Sequence, residues 1–280
     1  MKRKLILLSF VLCINGHVFS QPKIKLDTVS VRSDTLILKG LLWHPQRKGR
    51  FPTIIFCHGS LGGTDTIHNP LEEVSLIGKM FAGNGYIFLG LFRRGAGLSK
   101  DQGINSTDLM DKAFKEKGQA ERNIVQLQQL ETDQLQDMIS GLRFLQKRKD
   151  VDTSRIVVIA HSFGGSLALL FAEHEHDLKA VVAFSPAGYS WNLSPQLRMR
   201  LLDAVKNITS PVMIIHAQND YTLNSGYALD SAMGRLHKSH VLKIYPRFGS
   251  TASDAHGIIF QNIEIWEADV LEFLRKALNS

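Results

Sequence analysis

Three side chains in this sequence could together move a proton and attack a carbonyl group: Ser162, Asp220 and His256. A serine hydroxyl is a weak nucleophile until a base accepts its proton. Histidine is that base when an acid holds its ring in the right tautomer. Ser162 stands in Ala160-His161-Ser162-Phe163-Gly164-Gly165. An apolar, β-branched run from Arg155 ends there, and Leu167, Leu170 and Phe171 follow at helical spacing. The pattern is strand, tight turn and helix, with the serine at the apex. A hydroxyl so placed lies above a strand end and beside a helix N-terminus, where developing negative charge is favoured. The spacing is G-x-S-x-G with Ala160 in the first glycine position. The plainer role for such a serine is to cap the helix.

The partners are expected in the order serine, acid, histidine. The apolar run Val212 to His216 ends in Ala217-Gln218-Asn219-Asp220, which puts Asp220 at a strand end. The run Val241 to Tyr245 leads to Asp254-Ala255-His256-Gly257, which puts His256 on the loop after the last strand. Singly, the aspartate could be a turn former and the histidine a surface residue. Asp254 is a rival acid, but it is too close in sequence to His256 to reach its far ring nitrogen easily. An oxyanion needs two backbone donors. Phe163, directly after the serine, is one. The other is expected from His58-Gly59-Ser60-Leu61-Gly62-Gly63, at Ser60 or else Leu61, with His58 fixing the loop. Arg93, Leu61, Tyr189 and Tyr221 are candidate substrate contacts, because each follows a strand on the ligand side. Of these, Arg93 could grip a substrate carboxylate.

The elements that must hold these groups are legible as runs. Ile24 to Val31 and Leu36 to Trp43 read as a hairpin broken at Arg32-Ser33-Asp34. Further strands are expected at Pro52–Cys57, Tyr86–Leu91, Arg155–Ala160, Ala180–Phe184, Pro211–His216 and His240–Tyr245. Helical patterns lie between them, including Leu135 to Leu145, a helix capped by Ser194-Pro195, and a closing helix from Ile263. The polar stretch Lys100 to Gln134 reads as a loop followed by a long helix from near Gln119. Alternating strands and helices imply an α/β fold: a mostly parallel eight-stranded sheet with helices on both faces, and ligands beyond the carboxyl strand ends. Ser185 to Ser210 leaves room for about one helix, so no large cap domain is expected.

Lys2-Arg3-Lys4, the apolar stretch Leu5 to Ile14, and Val18-Phe19-Ser20 have the features of a signal peptide over residues 1–20. The single domain then covers 21–280, and the mature protein is expected to be periplasmic or secreted, without stable membrane insertion. The formal net charge of +7 includes those three leader cations. The remaining basic residues are scattered, with no nucleic-acid fingerprint. Cys13 leaves with the leader, so Cys57 has no intramolecular disulfide partner. Neither dinucleotide nor P-loop spacing occurs in the glycine-rich turn.

The chain resembles an α/β-hydrolase of the dienelactone-hydrolase and prolyl-oligopeptidase-like branch. The resemblance rests on His58-Gly59-Ser60, Arg93-Arg94-Gly95-Ala96-Gly97-Leu98-Ser99, Ala160-His161-Ser162-Phe163-Gly164-Gly165, Gln218-Asn219-Asp220 and Ala255-His256-Gly257. It implies Ser162 as nucleophile, Asp220 as acid and His256 as base. Dienelactone hydrolases proper carry a cysteine where this chain has Ser162. The expected activity is hydrolysis of a small-molecule carboxylic ester through an acyl-enzyme, with no metal or organic cofactor. Acyl transfer, short-peptide hydrolysis and ligand binding without catalysis are the other readings.

Overall fold

The structure is a computed structural model that describes residues 23–61 and 69–279. Residues 1–20, which read as a signal peptide, and Gly62-Gly63 lie outside the described residues. β1 (Ile24–Ser33) and β2 (Leu36–Pro45) form the expected hairpin, turning at Asp34 with φ 51°. The other strands are β3 (Phe51–Cys57), β4 (Ile87–Leu91), β5 (Val151–His161), β6 (Val181–Phe184), β7 (Val212–Ala217) and β8 (His240–Tyr245). They make an eight-stranded sheet in the order β1-β2-β4-β3-β5-β6-β7-β8. β2 pairs antiparallel with β4, and every pairing from β4 to β8 is parallel.

The helices are α1 (Pro70–Gly83), α2 (Ser106–Lys117), α3 (Gln119–Glu131), α4 (Asp133–Gln146), α5 (Phe163–His174), α6 (Pro195–Asn207), α7 (Asn224–Arg235), α8 (Ala252–His256), α9 (Ile258–Gln261) and α10 (Ile263–Leu278). Strands β4, β6 and β7 are buried along their whole length, as parallel strands covered on both faces must be. One face packs on α1, α9 and α10 through Val74, Ile77, Phe81, Trp266 and Val270. The other packs on α4 to α7 through residues such as Met138, Leu167, Leu201 and Leu229. Each large apolar side chain buried this way contributes ~1.5–3 kcal/mol. No described helix is long and apolar enough to cross a membrane.

Three elements differ from expectation. β5 begins at Val151 rather than Arg155, because Val151 pairs with Phe51 before a register shift. Lys100 to Gln134 holds two helices. Asn105 caps α2 through a 2.7 Å bond from the Thr107 N–H, and Gly118 separates α2 from α3 at φ 82°. The helix from Gln119 is not long, since Thr132 breaks it before α4. His256 is not on an open loop but ends the short helix α8, which a Thr251–Asp254 capping box starts.

Candidate active site

β5 delivers Ser162 at φ 56° and ψ −117°, a conformation that costs a residue with a Cβ about 1–3 kcal/mol. Main-chain bonds hold it there. Its N–H donates to Phe184 O at 2.8 Å, and its carbonyl accepts from Ser166 N at 3.1 Å. The turn is tight enough that a Cβ on Gly164 would lie 2.2 Å from the carbonyl oxygens of Cys57 and His58. Glycine at this position therefore lets α5 start directly beside the end of β3.

The three chemistry-bearing residues meet above the strand ends. Ser162 Oγ lies 2.8 Å from His256 Nε2, and His256 Nδ1 lies 2.8 Å from Asp220 Oδ1. Asp254 is turned away, with its carboxylate accepting from the N–H groups of Ser250 and Thr251. His161 Nε2–H donates to the His256 carbonyl at 2.9 Å, and the two rings pack 4.9 Å apart. On the other side His256 packs against Gly188, where a Cβ would come within 2.9 Å of the imidazole.

Asp220 has more partners than a histidine alone. Its Oδ1 also accepts from the Tyr221 N–H at 2.7 Å. Its Oδ2 accepts from Ser185 Oγ–H at 2.6 Å and from His216 Nδ1–H at 2.8 Å. Burial pushes the Asp220 carboxyl up, but hydrogen bonds from His216 and His256 outweigh it and hold the group well below the usual carboxylate range. His216 is fully buried on β7 and reaches Ser225 Oγ at 3.4 Å with its other nitrogen. Neither His216 nor Ser185 was singled out from the sequence. The available signal was a histidine closing an otherwise apolar strand, four residues before the acid. Replacing His216 with alanine is expected to cost about 3 kcal/mol in denaturant unfolding, because a buried carboxylate loses a donor. The same variant should lose less kcat than one lacking Asp220.

Arg93 is not at the cleft. It is buried beneath the β3 loop, where its guanidinium donates to His58 O (2.9 Å), Gly59 O (3.1 Å), Cys57 Sγ (3.0 Å) and Gln134 Oε1 (2.7 Å). It also lies over the Phe163 ring. Arg93 is therefore a brace and not a substrate contact. Its position after β4 specified the correct sheet edge but not the layer. His58 is buried and neutral: burial and the neighbouring Arg93 charge push it well below the ordinary imidazole value. Its Nδ1–H donates to Gly59 O at 2.8 Å, and its Nε2 accepts the Arg93 N–H at 3.1 Å. With the Gly59 carbonyl held down by two donors, a trans peptide aims the Ser60 N–H the opposite way. Ser60 itself is exposed and lines the cleft.

Residues 38–257 match the model of the dienelactone hydrolase family. The chain belongs to this family. A Bacillus subtilis protein called uncharacterized peptidase YtmA is 22% identical over 241 residues, covering 77% of this chain and 82% of its own. Among solved structures, the Pyrococcus horikoshii acylaminoacyl peptidase superposes with a TM-score of 0.66 at 18% identity, over 91% of this chain and 42% of that one. The chain thus spans less than half of that peptidase. A dienelactone hydrolase from Anabaena variabilis gives 0.59 at 17% identity, over 91% and 97%. These likenesses show the α/β-hydrolase fold.

In this dienelactone hydrolase family member two recesses meet at Ser162. The first, of about 280 Å³, is lined by His256, Leu61, Val74 and Phe260 among others. The second, of about 200 Å³, is lined by Phe163, Met110, Arg122, Gln126, Tyr189 and Ser190 among others. Tyr221 borders both. It packs edge-on against Tyr189 and His256 at 5.6 and 5.2 Å between ring centroids. The structure therefore brings Leu61, Tyr189 and Tyr221 to the cleft. It adds a wall from α2 and α3, through Met110, Arg122 and Gln126, where the sequence shows only a polar stretch.

Proposed function

We propose that this hydrolase-family chain is an exported serine hydrolase that cleaves carboxylic esters through an acyl-enzyme on Ser162. The observation that carries the reading is the continuous relay Ser162–His256–Asp220, with both links at 2.8 Å. The ionised Asp220 accepts the His256 Nδ1–H, which leaves Nε2 free to take the Ser162 proton. Ser162 Oγ then attacks the ester carbonyl, and the oxyanion is received by the N–H groups of Phe163 and Ser60. Each such donor is worth about 10²–10³ in rate. His256 returns the proton to the leaving alcohol. Water, deprotonated in turn by His256, releases the acid. Arg93, by holding the Gly59 carbonyl down, keeps the Ser60 N–H aimed at the oxyanion. Export rests on the basic, apolar and small-residue order of residues 1–20.

The names of the similar proteins favour short-peptide hydrolysis as a second reading. Stopped-flow with p-nitrophenyl butyrate and with an acyl-aminoacyl p-nitroanilide separates the two. The ester reading expects a burst of p-nitrophenol equal to the enzyme present, and a higher kcat/KM for the ester. A higher kcat/KM for the anilide would make the protein a peptidase.

A further inference from the structure

The hydrogen-bonded chain does not end at Asp220. The carboxylate carries two imidazoles, one on each oxygen: His256 on Oδ1 at 2.8 Å and His216 on Oδ2 at 2.8 Å. Ser185 Oγ–H shares Oδ2 at 2.6 Å. An ionised carboxylate only accepts, so His216 donates from Nδ1, and its Nε2 faces Ser225 Oγ at 3.4 Å. His216, Ser185 and Ser225 are all fully buried. Helix α7 closes over the imidazole: a Cβ on Gly226 would lie 2.9 Å from its Cδ2. Neither His216 nor Ser185 lines either recess. A side chain this deep does not touch substrate, so any effect it has on the chemistry passes through Asp220.

A general base meets two demands. It must be neutral before the attack and hold a proton during it. A buried carboxylate whose whole charge fell on His256 would hold the imidazolium so firmly that the base stayed protonated in mild acid. Hydrogen bonds donated to the other oxygen draw off part of that charge. We infer that His216, with Ser185, is a positioning residue that acts on Asp220 Oδ2. It fixes the plane of the carboxylate against His256 and limits the charge that His256 meets, which keeps the base free of its proton further into acid. This inference rests on the serine-hydrolase reading above. On its other sides His256 is faced by the His161 ring at 4.9 Å and the Tyr221 ring at 5.2 Å, and it shares the first recess with Glu73 and His58. Among the described residues His216 meets Asp220, Ser225 and Gly226 of α7, and its strand partner Ile244 on β8; of these Asp220 alone is charged.

Leucine and asparagine have nearly the same shape, and asparagine keeps an N–H₂ near the place of the imidazole Nδ1. His216→Leu and His216→Asn therefore leave the same cavity and differ in the donor. The rate at which a fluorophosphonate labels Ser162, followed from acid to neutral pH, reads the unprotonated base without the natural substrate. Wild type should lose rate along one acid limb. His216→Leu should move the midpoint of that limb up by about half to one pH unit, and His216→Asn should keep it close to wild type. With p-nitrophenyl butyrate the leucine variant should lose kcat and keep KM, because no contact with substrate is removed. Ser185→Ala, which deletes only a hydroxyl from the same oxygen, should move the limb in the same direction and by less. It supplies the answer should the leucine variant fail to fold. A limb at the same pH in wild type and His216→Leu, or in wild type and Ser185→Ala where only that variant folds, overturns the inference. So does an equal displacement in the leucine and asparagine variants, which is what a packing role alone gives. These results leave the nucleophile standing. A folded wild type unlabelled at Ser162 at any pH removes the serine-hydrolase reading itself, and the inference with it.

Discussion

Ser162→Ala is expected to lower kcat by about 10⁶-fold, leaving only the rate that oxyanion donors and binding supply. The substitution removes one oxygen whose only described partner is His256. The strained backbone is held by the main-chain bonds to Phe184 and Ser166, which alanine retains. Alanine, like serine, has a Cβ, so the positive φ adds no new strain. The thermal midpoint should therefore stay close to wild type while turnover vanishes. Steady-state kinetics with a scanning melt checks both halves. Wild-type turnover in the folded variant would move the nucleophile elsewhere.

Asp220→Ala is expected to be the second largest loss, about 10⁴-fold in kcat. It removes the acceptor that fixes the His256 tautomer and the charge that stabilises the imidazolium. Asp220→Asn should lose less than Asp220→Ala, for a reason specific to this site. The Tyr221 N–H on the Oδ1 side can only donate, so the asparagine carbonyl stays there and still accepts from His256 Nδ1–H. The amide nitrogen then faces Ser185, whose hydroxyl can rotate to accept, and His216, whose Nδ1 accepts once its proton moves to Nε2 beside Ser225 Oγ. An asparagine variant as slow as the alanine variant would contradict this arrangement. The acid range gives an independent check. Asp220 titrates below its unfolded value near ~3.9, so the unfolded chain binds the proton first as pH falls. Its contribution to stability is complete above that value and is lost as pH drops toward the folded one. Asp220→Ala should therefore flatten the acid limb of the stability curve.

The relay was legible because its three members sit at the carboxyl ends of β5 and β7 and just beyond β8. A parallel sheet gathers those ends on one edge. Local chemistry made the elbow legible too: a small residue, a serine and two glycines between a β-branched run and a helical one. What was not legible depends on depth and on long-range pairing. Arg93 and Arg94 are adjacent after β4, yet one is enclosed by the carbonyls of the β3 loop and the other pairs with Asp133 and Asp137. Sequence position does not distinguish them. His216 reads as the end of a strand until the fold turns Asp220 back over it. Helix α2 escaped because only Ser106, Met110 and Ala113 of its residues are buried, which leaves a weak apolar stripe after its Asn105 cap. The second recess, and with it Arg122 and Gln126, depends on how α2 and α3 fold over the strand ends.

The most direct test of an activated serine is covalent. The purified protein is treated with a fluorophosphonate, digested, and the modified peptide identified, with Ser162→Ala as control. The account predicts one modified residue, Ser162, labelled rapidly in wild type and absent in the variant. A well-folded wild-type protein left unlabelled, or labelled equally in the variant, would contradict it.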